Sequence, residues 1–285
     1  MNSAANPSPA PSGPPAGTPS GGASADAPDS GAKLKDIRSR GAARAYLDVT
    51  YGPMPVWKAL LMELATLLFS GIPGALGIAI RGFVYRPFFG GFGKGVVIGR
   101  HVAFRHPSKI FLGDGVVLDD RAVLDAKGPS NDGIALGRRV FVGRGSTIYC
   151  KNGDVEIGDG ASISANSIVF SSNKLSVGPG TMIGSFCYLL SGGEYDPYSR
   201  VPFAEQSGTL TRGPLSVGAN CWLGAHVTVL DAASIGDGTV VGAGAVVASP
   251  LPAGVLALGV PARPRKTLPG GAPAAADTKR SSAQC

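Results

Sequence analysis

The sequence predicts an all-β solenoid, a stack of triangular coils that are each built from three short strands. Aliphatic side chains recur every six residues between positions 98 and 247, with shifts of phase only at a few insertions. A period of six fits neither an amphipathic helix nor a hairpin strand. The 43 glycines and 23 prolines are too many turn-forming residues for a helical protein, and they lack the strict period of collagen. Composition therefore favours one large β domain with tails over two small domains.

Each repeat is predicted to direct one apolar side chain into the coil. Three repeats would close a coil of about 18 residues, and successive coils would stack about 4.8 Å apart, the usual spacing of β-strands. The predicted inward positions are Ile98, Phe104, Ile110, Leu112, Leu118, Leu124, Leu136, Val142, Ile148, Ile157, Ile163, Val169, Val177, Ile183, Leu189, Val217, Leu223, Val229, Ile235, Val241 and Val247. Glycine follows many of these positions, where a tight corner would exclude a bulky side chain. Small residues come four positions after many of them, so Cys187 and Cys221 are predicted to be packing residues rather than redox groups.

Both ends of the chain have the composition of tails. Residues 1–45 are rich in Pro, Ala, Ser and Gly and are predicted to be a disordered leader, and residues 266–285 repeat this bias as a disordered tail. The leader lacks the basic and apolar regions of a secretory signal. The four cysteines form no CxxC pair, which favours a reducing compartment. We therefore expect a cytoplasmic location.

The segment of residues 46–93 is unusually apolar for a soluble domain. Its long apolar run is interrupted in the middle by Pro73 and several glycines, which predicts two short helices rather than a transmembrane span. Two interpretations remain open. The helices either cap the end of the solenoid, or residues 56–92 bind peripherally to the inner face of the cytoplasmic membrane, with Arg81 and Arg86 at the lipid headgroups.

The net charge of +7 does not by itself indicate a nucleic-acid partner. The basic residues are scattered, and no nucleic-acid recognition motif accompanies them. The charge instead favours anionic small molecules, such as phosphates, or an anionic membrane surface. The spacing of the cysteines and histidines predicts no zinc site.

Two motifs close the repeat region. The first is Cys221-Trp222-Leu223-Gly224-Ala225, which is followed by glycine-rich repeats, and the second is Leu258-Gly259-Val260-Pro261-Ala262-Arg263. Residues 217–266 thereby resemble the C-terminal coils of the hexapeptide-repeat acyltransferases, which include galactoside, maltose, xenobiotic and serine acetyltransferases. The resemblance implies a left-handed parallel β-helix over residues 94–265, with a loop inserted at residues 190–214. It also implies a homotrimer with active sites between the subunits.

The resemblance further implies acetyl-coenzyme A as the acyl donor and no metal. The pantetheine arm would lie along the coils at Ala225 and Ala243, where small side chains leave room for it, and Trp222 and Gly244 belong to the same motifs. Arg263 and Lys266 would meet the nucleotide phosphates. The chain departs from its relatives where they often carry Thr-Lys after the last inward valine, so one phosphate contact is expected to be missing. A solvated basic turn is the alternative explanation of Arg263, Arg265 and Lys266.

Acyl transfer from a thioester needs a base that takes the proton of the acceptor. In the related acetyltransferases this base is a histidine in a loop that leaves the coils, but the insertion here contains no histidine. Glu194 and Asp196 stand near that position, and burial or a neighbouring carboxylate would make either one a better base. His226 is the third candidate because it would flank the expected pantetheine groove. Solvated side chains are the alternative explanation of all three residues.

Two other functions are compatible with this fold. A γ-type carbonic anhydrase binds zinc through three histidines, and His101 and His106 share its five-residue offset, but their phase differs and the third ligand is missing. A catalytically inactive scaffold is the non-enzymatic alternative, which the missing loop histidine favours. The two motifs favour an acyltransferase that moves an acyl group, most simply acetyl, to a saccharide hydroxyl or amine in surface polysaccharide biosynthesis. The saccharide rests on family analogy alone.

Overall fold

Three parallel β-sheets enclose one hydrophobic core, and each turn of the chain contributes one strand to each sheet. The computed structural model describes residues 41–206 and 208–269. Most of the predicted leader and tail lies outside these residues. The fold is the predicted parallel β-helix, with helices before its first coil.

The strands of successive coils lie side by side in the three sheets. Sheet 1 consists of β1 (Gly91–Phe92), β4 (Ile110–Leu112), β7 (Ile134–Leu136), β10 (Asp154–Ile157), β13 (Lys174–Val177), β16 (Leu215–Val217) and β19 (Ser234–Ile235). Sheet 2 consists of β2 (Val97–Ile98), β5 (Val117–Leu118), β8 (Phe141–Val142), β11 (Ser162–Ile163), β14 (Met182–Ile183), β17 (Trp222–Leu223), β20 (Val240–Val241), β22 (Val255–Leu258) and β23 (Arg263–Thr267). Sheet 3 consists of β3 (Ala103–Arg105), β6 (Val123–Asp125), β9 (Thr147–Cys150), β12 (Ile168–Ser171), β15 (Tyr188–Ser191), β18 (Thr228–Val229) and β21 (Val246–Val247).

The inward side chains of successive coils stack on one another. In sheet 2, Leu118 pairs with Ile98 in one neighbouring strand and with Val142 in the other. All the predicted inward positions are at most 7% exposed. Very short strands suffice because each one pairs with the coil before it and the coil after it. The period of six thus corresponds to one side of the triangular coil.

Coil length varies at only one of the three corners. We call the corner between sheets 1 and 2 the first corner, that between sheets 2 and 3 the second, and that between sheets 3 and 1 the third. Inward residues are six positions apart across the first and second corners in every coil. Across the third corner the spacing runs from 4 residues, between Val247 and Leu251, to 28 residues, between Leu189 and Val217. Only the coil from Val217 to Ile235 has the predicted 18 residues, and the last coil, which ends at Ala257, has 16. The early coils have 20 to 24 residues because they carry extra residues at the third corner.

Two backbone constraints shape the corners. A Cβ on Gly178, which follows an inward residue, would lie 2.5 Å from the backbone nitrogen of Ala219 in the next coil. Only glycine fits such a close approach of two backbones. The third residue after an inward position adopts the left-handed conformation, with φ of 56° at Asn166 and 51° at Asn220. Asparagine tolerates this conformation better than most residues do.

The cysteines of the coils are packing residues, as predicted. Cys187 and Cys221 are each 1% exposed, and their sulfur atoms lie 3.1 and 3.2 Å from the carbonyl oxygens of Gly224 and Gly236. Cys150, Cys187 and Cys221 are free thiols. Burial raises the pKa of the Cys187 and Cys221 thiols, and it raises the pKa of Cys150 to about 12. Little reactive thiolate is therefore present near neutral pH.

Thiol titration checks this packing. In a Cys285→Ser variant, Cys150, Cys187 and Cys221 are expected to resist Ellman's reagent in the native protein at about pH 8, because burial raises their pKa and blocks access. All three should react after denaturation in guanidinium chloride. Reaction of the native protein at the rate of an exposed thiol would contradict the burial of these side chains.

Three helices cover the N-terminal end of the β-helix. They are α1 (Ala42–Tyr51), α2 (Val56–Phe69) and α3 (Gly74–Val84), and short 3-10 turns follow at Arg86–Phe88, Pro107–Lys109 and Phe203–Glu205. The break between α2 and α3 occurs at Pro73 and its neighbouring glycines, as predicted. The backbone amides of His101 and His106 donate to the carbonyl oxygens of Ser70 and Thr50, at 3.0 and 2.8 Å. These bonds tie the helices to the first coil.

Helix α1 begins at Ala42, within the range that the sequence assigned to a disordered leader ending at residue 45. Tyr51 is buried at its end. The hydroxyls of Tyr46 and Tyr51 both donate to Oε1 of Glu63 on α2, at 2.8 and 2.7 Å. Contacts with α2 stabilise α1, and composition of the leader alone does not reveal them.

Arg81 does not lie where a lipid headgroup would meet it, and this part of the prediction is wrong. Its side chain is buried, and Nε donates to the carbonyl oxygen of Ile98 at 2.8 Å. Nη1 donates to Ile72 at 2.7 Å and to Phe69 at 3.2 Å. Arg81 therefore satisfies the carbonyl of Phe69, which lacks a partner within α2, and the carbonyl of Ile72 in the turn after that helix. Arg86, by contrast, is exposed.

A hairpin closes the C-terminal end of the β-helix. Strand β22 pairs in parallel with β20, and β23 pairs antiparallel with β22. Lys266, at the predicted start of the tail, pairs with Leu256, and the strand ends at Thr267. The hairpin covers the backbone edge that the last coil would otherwise expose. Over residues 41–206 and 208–269, no helix has both the length and the apolar character needed to cross a membrane.

Candidate active site

The predicted donor-binding residues gather on sheet 2 and the second corner, at the C-terminal end of the β-helix. Trp222 pairs with Val240, Val240 with Leu256, and Leu256 with Lys266, so the four residues form one row across β17, β20, β22 and β23. Three strand spacings give this row a length of about 14 Å. The exposed indole of Trp222 and the exposed ammonium of Lys266 therefore lie at the two ends of one row on the outer surface.

Apart from His226, the second corner beside this row carries small residues at the solvent-accessible positions that directly follow Leu223 and Val241. Ala225 and Ala243 occupy equivalent positions, and the amide of Gly244 donates to the carbonyl oxygen of Ala225 at 2.9 Å. A Cβ on Gly244 would meet no atom within 4 Å, so the space above this glycine is open. Such a corner can accept an extended chain against its backbone at Ala225, Ala243 and Gly244, where the side chains are small or absent.

The cations Arg263 and Lys266 lie near this corner, on the last strand of the β-helix. Arg263 and Lys266 are exposed on β23. Arg263 donates through Nη1 to the hydroxyl of Ser249 at 3.3 Å and to its neighbour's carbonyl at 3.3 Å. Neither cation forms an ion pair with a carboxylate of residues 41–206 or 208–269. Both charges remain accessible to an anionic ligand.

His226 lies at the second corner, directly after Ala225. Its backbone has φ of 59°, and its amide donates to the carbonyl oxygen of Ser185 at 3.0 Å. The imidazole stacks on the ring of Phe186 in the preceding coil, with centroids 5.0 Å apart and planes 5° apart. Gly244 occupies the same corner position in the next coil, so no side chain stacks on the other face of the imidazole from that position. The structure thus brings His226 together with Ala225, Ala243 and Gly244.

The inserted loop leaves the third corner between β15 and β16, at residues 192–214, and we call it the excursion. One buried carboxylate holds its two ends. Asp231, in the next coil, accepts hydrogen bonds from the amides of Gly192 and Arg212, both at 2.5 Å, and from the hydroxyl of Thr211 at 3.1 Å. Sequence reasoning missed this residue. The available signal was a single acidic residue within the otherwise apolar and small run from residue 227 to residue 235.

Glu194 and Asp196 lie on the excursion and already have partners there. The backbone of Glu194 bridges to Leu210, and its Oε1 accepts a hydrogen bond from Nη2 of Arg212 at 2.9 Å. Asp196 accepts from the amide of Tyr198 at 2.9 Å. The excursion leaves the third corner and His226 lies at the second, so one chain does not bring the three candidate bases to a single corner.

The histidines do not form a metal site within the chain. His101 and His226 occupy the second corner in the first and sixth coils, five coils apart. His106 is buried, and its Nδ1 lies 3.7 Å from Oδ1 of Asp125 without a hydrogen bond. In the part of the chain that the structure describes, no three His, Cys, Asp or Glu side chains are grouped so that they could hold a metal ion.

Two family models match the coils. The model of the bacterial transferase hexapeptide, with six repeats, matches residues 215–249, which include β17, β20 and the second corner beside them. The model of the hexapeptide repeat of succinyl-transferase matches residues 133–171. These two stretches of the coils therefore resemble transferase hexapeptide repeats. The predicted resemblance to hexapeptide-repeat acyltransferases is confirmed.

Curated relatives match over part of their length. A Mycobacterium tuberculosis protein named as a probable acetyltransferase is 26% identical over 154 residues, which cover 54% of this chain and 48% of that protein. Galactoside O-acetyltransferase of Escherichia coli K12 is 40% identical over 58 residues, which cover 20% of this chain and 29% of that enzyme. The chain spans about half the length of the first curated relatives it matches.

Solved structures align over more of the chain at lower identity. A hexapeptide-repeat acetyltransferase of Vibrio cholerae, complexed with acetyl coenzyme A, is 17% identical with a TM-score of 0.42, over 76% of this chain and 91% of that one. A mutant of the Bacillus cereus N-acyltransferase AntD, in complex with dTDP and coenzyme A, is 19% identical with a TM-score of 0.47, over 70% of this chain and 91% of that one. Both TM-scores are below 0.5.

Proposed function

We propose that the chain is a coenzyme A-dependent acyltransferase that moves an acyl group, most simply acetyl, to a hydroxyl or amine of a saccharide. One observation carries the proposal. In the matched hexapeptide coils, an open corner of small residues, Ala225, Ala243 and Gly244, lies between an imidazole and two exposed cations. The named acetyltransferase activity of the curated relatives supports it.

The donor would lie along the second corner and the outer row of sheet 2. Its pantetheine arm would pass Ala225 and Ala243 and hydrogen-bond their backbone, while Trp222 would flank it. Arg263 and Lys266 would bind the nucleotide phosphates, because both cations are exposed and have no carboxylate partner among the described residues. The donor supplies a thioester, whose carbonyl carbon the acceptor attacks.

We propose His226 as the general base of this reaction. Imidazole takes and returns protons near neutral pH, and this ring flanks the proposed donor groove. The acceptor oxygen or nitrogen forms a bond to the acyl carbon as His226 takes its proton. The carbon–sulfur bond then breaks, and the leaving coenzyme A thiolate receives that proton from His226. Stacking on Phe186 would hold the ring in position during both transfers.

The excursion supports a saccharide as the acceptor. Tyr195, Tyr198 and Phe203 expose aromatic rings on it, and Tyr195 and Phe203 contact each other edge to face at 6.2 Å. Aromatic faces together with carboxylates such as Glu194 and Asp196 suit a ring that bears both apolar C–H faces and hydroxyls. In this proposal Glu194 and Asp196 bind the acceptor, while His226 carries the proton.

A homotrimer would bring these parts together. Exposed apolar residues on the outer faces of sheets 2 and 3, such as Phe141, Ile168 and Met182, are suited to contact with another subunit. The excursion of one subunit could then reach the second corner of its neighbour. We further propose that the trimer works in the cytoplasm and modifies precursors of a surface polysaccharide.

Calorimetric titration with acetyl-coenzyme A tests the donor site. The double variant Arg263→Ala/Lys266→Ala is expected to bind at least about tenfold more weakly than the unmodified chain, because two phosphate contacts are lost. The matched control is Lys127→Ala/Arg200→Ala, which removes two exposed cations elsewhere and should leave the affinity unchanged.

A catalytically inactive scaffold is the alternative that this titration separates. If the folded chain takes up no acetyl-coenzyme A at about 1 mM, the coils act as a scaffold or binding surface and the proposed transferase activity is wrong. Equal weakening by both double variants would mean that net charge alone attracts the donor, and the assignment of Arg263 and Lys266 would fail.

A further inference from the structure

The outer face of helices α2 and α3, which we call the apolar cap, is exposed and almost free of polar groups. Between residues 59 and 80 every exposed residue is apolar, glycine or proline. The only charged side chain in that range is Glu63, and the hydroxyls of Tyr46 and Tyr51 occupy it. The exposed apolar residues are Leu60, Leu61, Leu64, Leu67, Leu68, Leu76 and Ile78, with Trp57 and Phe83 at the two ends.

The β-helix itself does not need these side chains. The buried residues of α2 are Ala59, Met62 and Ala65, and Phe69 at its end packs partly buried against the core, whereas the leucines face water. On α3 the buried residues are Gly77 and Arg81, and Val84 packs partly buried against the core. A surface helix normally has the opposite arrangement, with its large apolar side chains in the core. A contiguous exposed patch of this kind marks a binding surface.

Basic residues flank the apolar cap in the sequence. Lys58 adjoins Trp57 at the start of α2, and Arg86 follows α3. Immediately before α1, the sequence of residues 33–40 contains four basic residues and a single acidic one. Apolar insertion combined with a nearby basic segment is the pair of signals that gives stable binding to an anionic bilayer surface.

We propose that the apolar cap docks onto the surface of a lipid bilayer that contains anionic lipids. Helix α2 has 14 residues and measures about 21 Å, shorter than the roughly 30 Å hydrocarbon core, so it would lie along the surface. Trp57 and Lys58 would lie at headgroup depth, with the leucines below them.

Co-flotation of the full chain with vesicles tests the proposal. Two vesicle preparations are used, one of phosphatidylcholine alone and one with about a third phosphatidylglycerol. The double variant Leu67→Glu/Phe83→Glu changes side chains that are 79% and 82% exposed, so the fold should survive, which circular dichroism checks. The matched control is Tyr198→Glu/Val201→Glu, which introduces the same two charges at exposed apolar positions of the excursion.

The unmodified chain and the control are expected to float with the phosphatidylglycerol vesicles, and the cap variant to lose at least about tenfold of its bound fraction. The proposal is overturned if the unmodified chain does not float, if the cap variant floats equally well, or if phosphatidylcholine alone binds as much protein. Sedimentation equilibrium without vesicles provides a further check. A smaller oligomer for the cap variant than for the control would mean that a second copy covers the cap, which also overturns it. Acetyl-coenzyme A binding is measured separately, so failure here leaves the donor site untouched.

Discussion

Replacement of His226 by Asn is expected to lower kcat for acyl transfer by about 100- to 10,000-fold, the range for loss of a general base. Asn suits this position because Asn166 and Asn220 hold the corresponding corner conformation in other coils, so the backbone should not change. The KM for acetyl-coenzyme A should change little, because the proposed donor contacts remain. Coenzyme A release, measured against a panel of amino and hydroxy sugars, provides the rate.

The control for this variant is His101→Asn. His101 occupies the same corner position in the first coil, with φ of 53°, far from the proposed donor groove. It should retain full activity. If His226→Asn keeps the rate while Glu194→Gln or Asp196→Asn abolishes it, the base lies on the excursion and the role proposed for His226 is wrong.

Asp231→Ala is expected to free the two ends of the excursion from the β-helix. Three donors would lose a buried carboxyl acceptor, which corresponds to about 3 kcal/mol of local stability and about a 100-fold faster local opening. Trypsin should therefore cleave after Arg212 about 100-fold faster than in the unmodified chain. Cleavage after the exposed Arg200, at the tip, provides an internal reference that should change much less.

The matched control for this clamp is Asp237→Ala. Asp237 also accepts a backbone hydrogen bond, from Ala219 at 2.7 Å, but it is exposed. Its loss should cost only about 1 kcal/mol, because water replaces the acceptor. If Asp231→Ala leaves the cleavage rate after Arg212 unchanged, Asp231 does not hold the excursion.

The period of six was sufficient to predict the core because the position of a residue within its repeat alone decides whether its side chain faces inward. Ile98, Leu118 and Val142 stack as the repeat predicted, and no long-range information was needed to identify them. Coil length was less predictable. The extra residues at the third corner form turns without a period, so the 18-residue length is correct for one coil only.

The parts that sequence reasoning missed depend on contacts between distant segments. Arg81 is an ordinary cation in the sequence, and only the packing of α3 against the end of α2 and β2 turns it into a buried donor to three carbonyls. Asp231 acts on residues 19 to 39 positions before it. Such interactions leave no periodic trace, and their partners follow from the three-dimensional path of the chain.

The positions of the candidate site were predictable only where its residues belong to the repeat. Ala225, Ala243 and Gly244 belong to the repeat, so their common corner followed from the phase of the hexads. The pairing of Lys266 with Leu256 depends instead on a reversal of the chain after the repeats end. The stacking of His226 on Phe186 joins two residues 40 positions apart, because the excursion separates their coils.

Because length changes are confined to the third corner, the loop at that edge can be replaced without a change in the rest of the coils. A loop grafted between Ser191 and Leu215 would leave the six-residue spacing across the other two corners untouched, and with it the register of the strands beside the proposed donor groove. In the proposed acyltransferase, acceptor preference would then diverge through insertion and deletion at one edge, while the edge of the proposed groove stays under a strict geometric constraint.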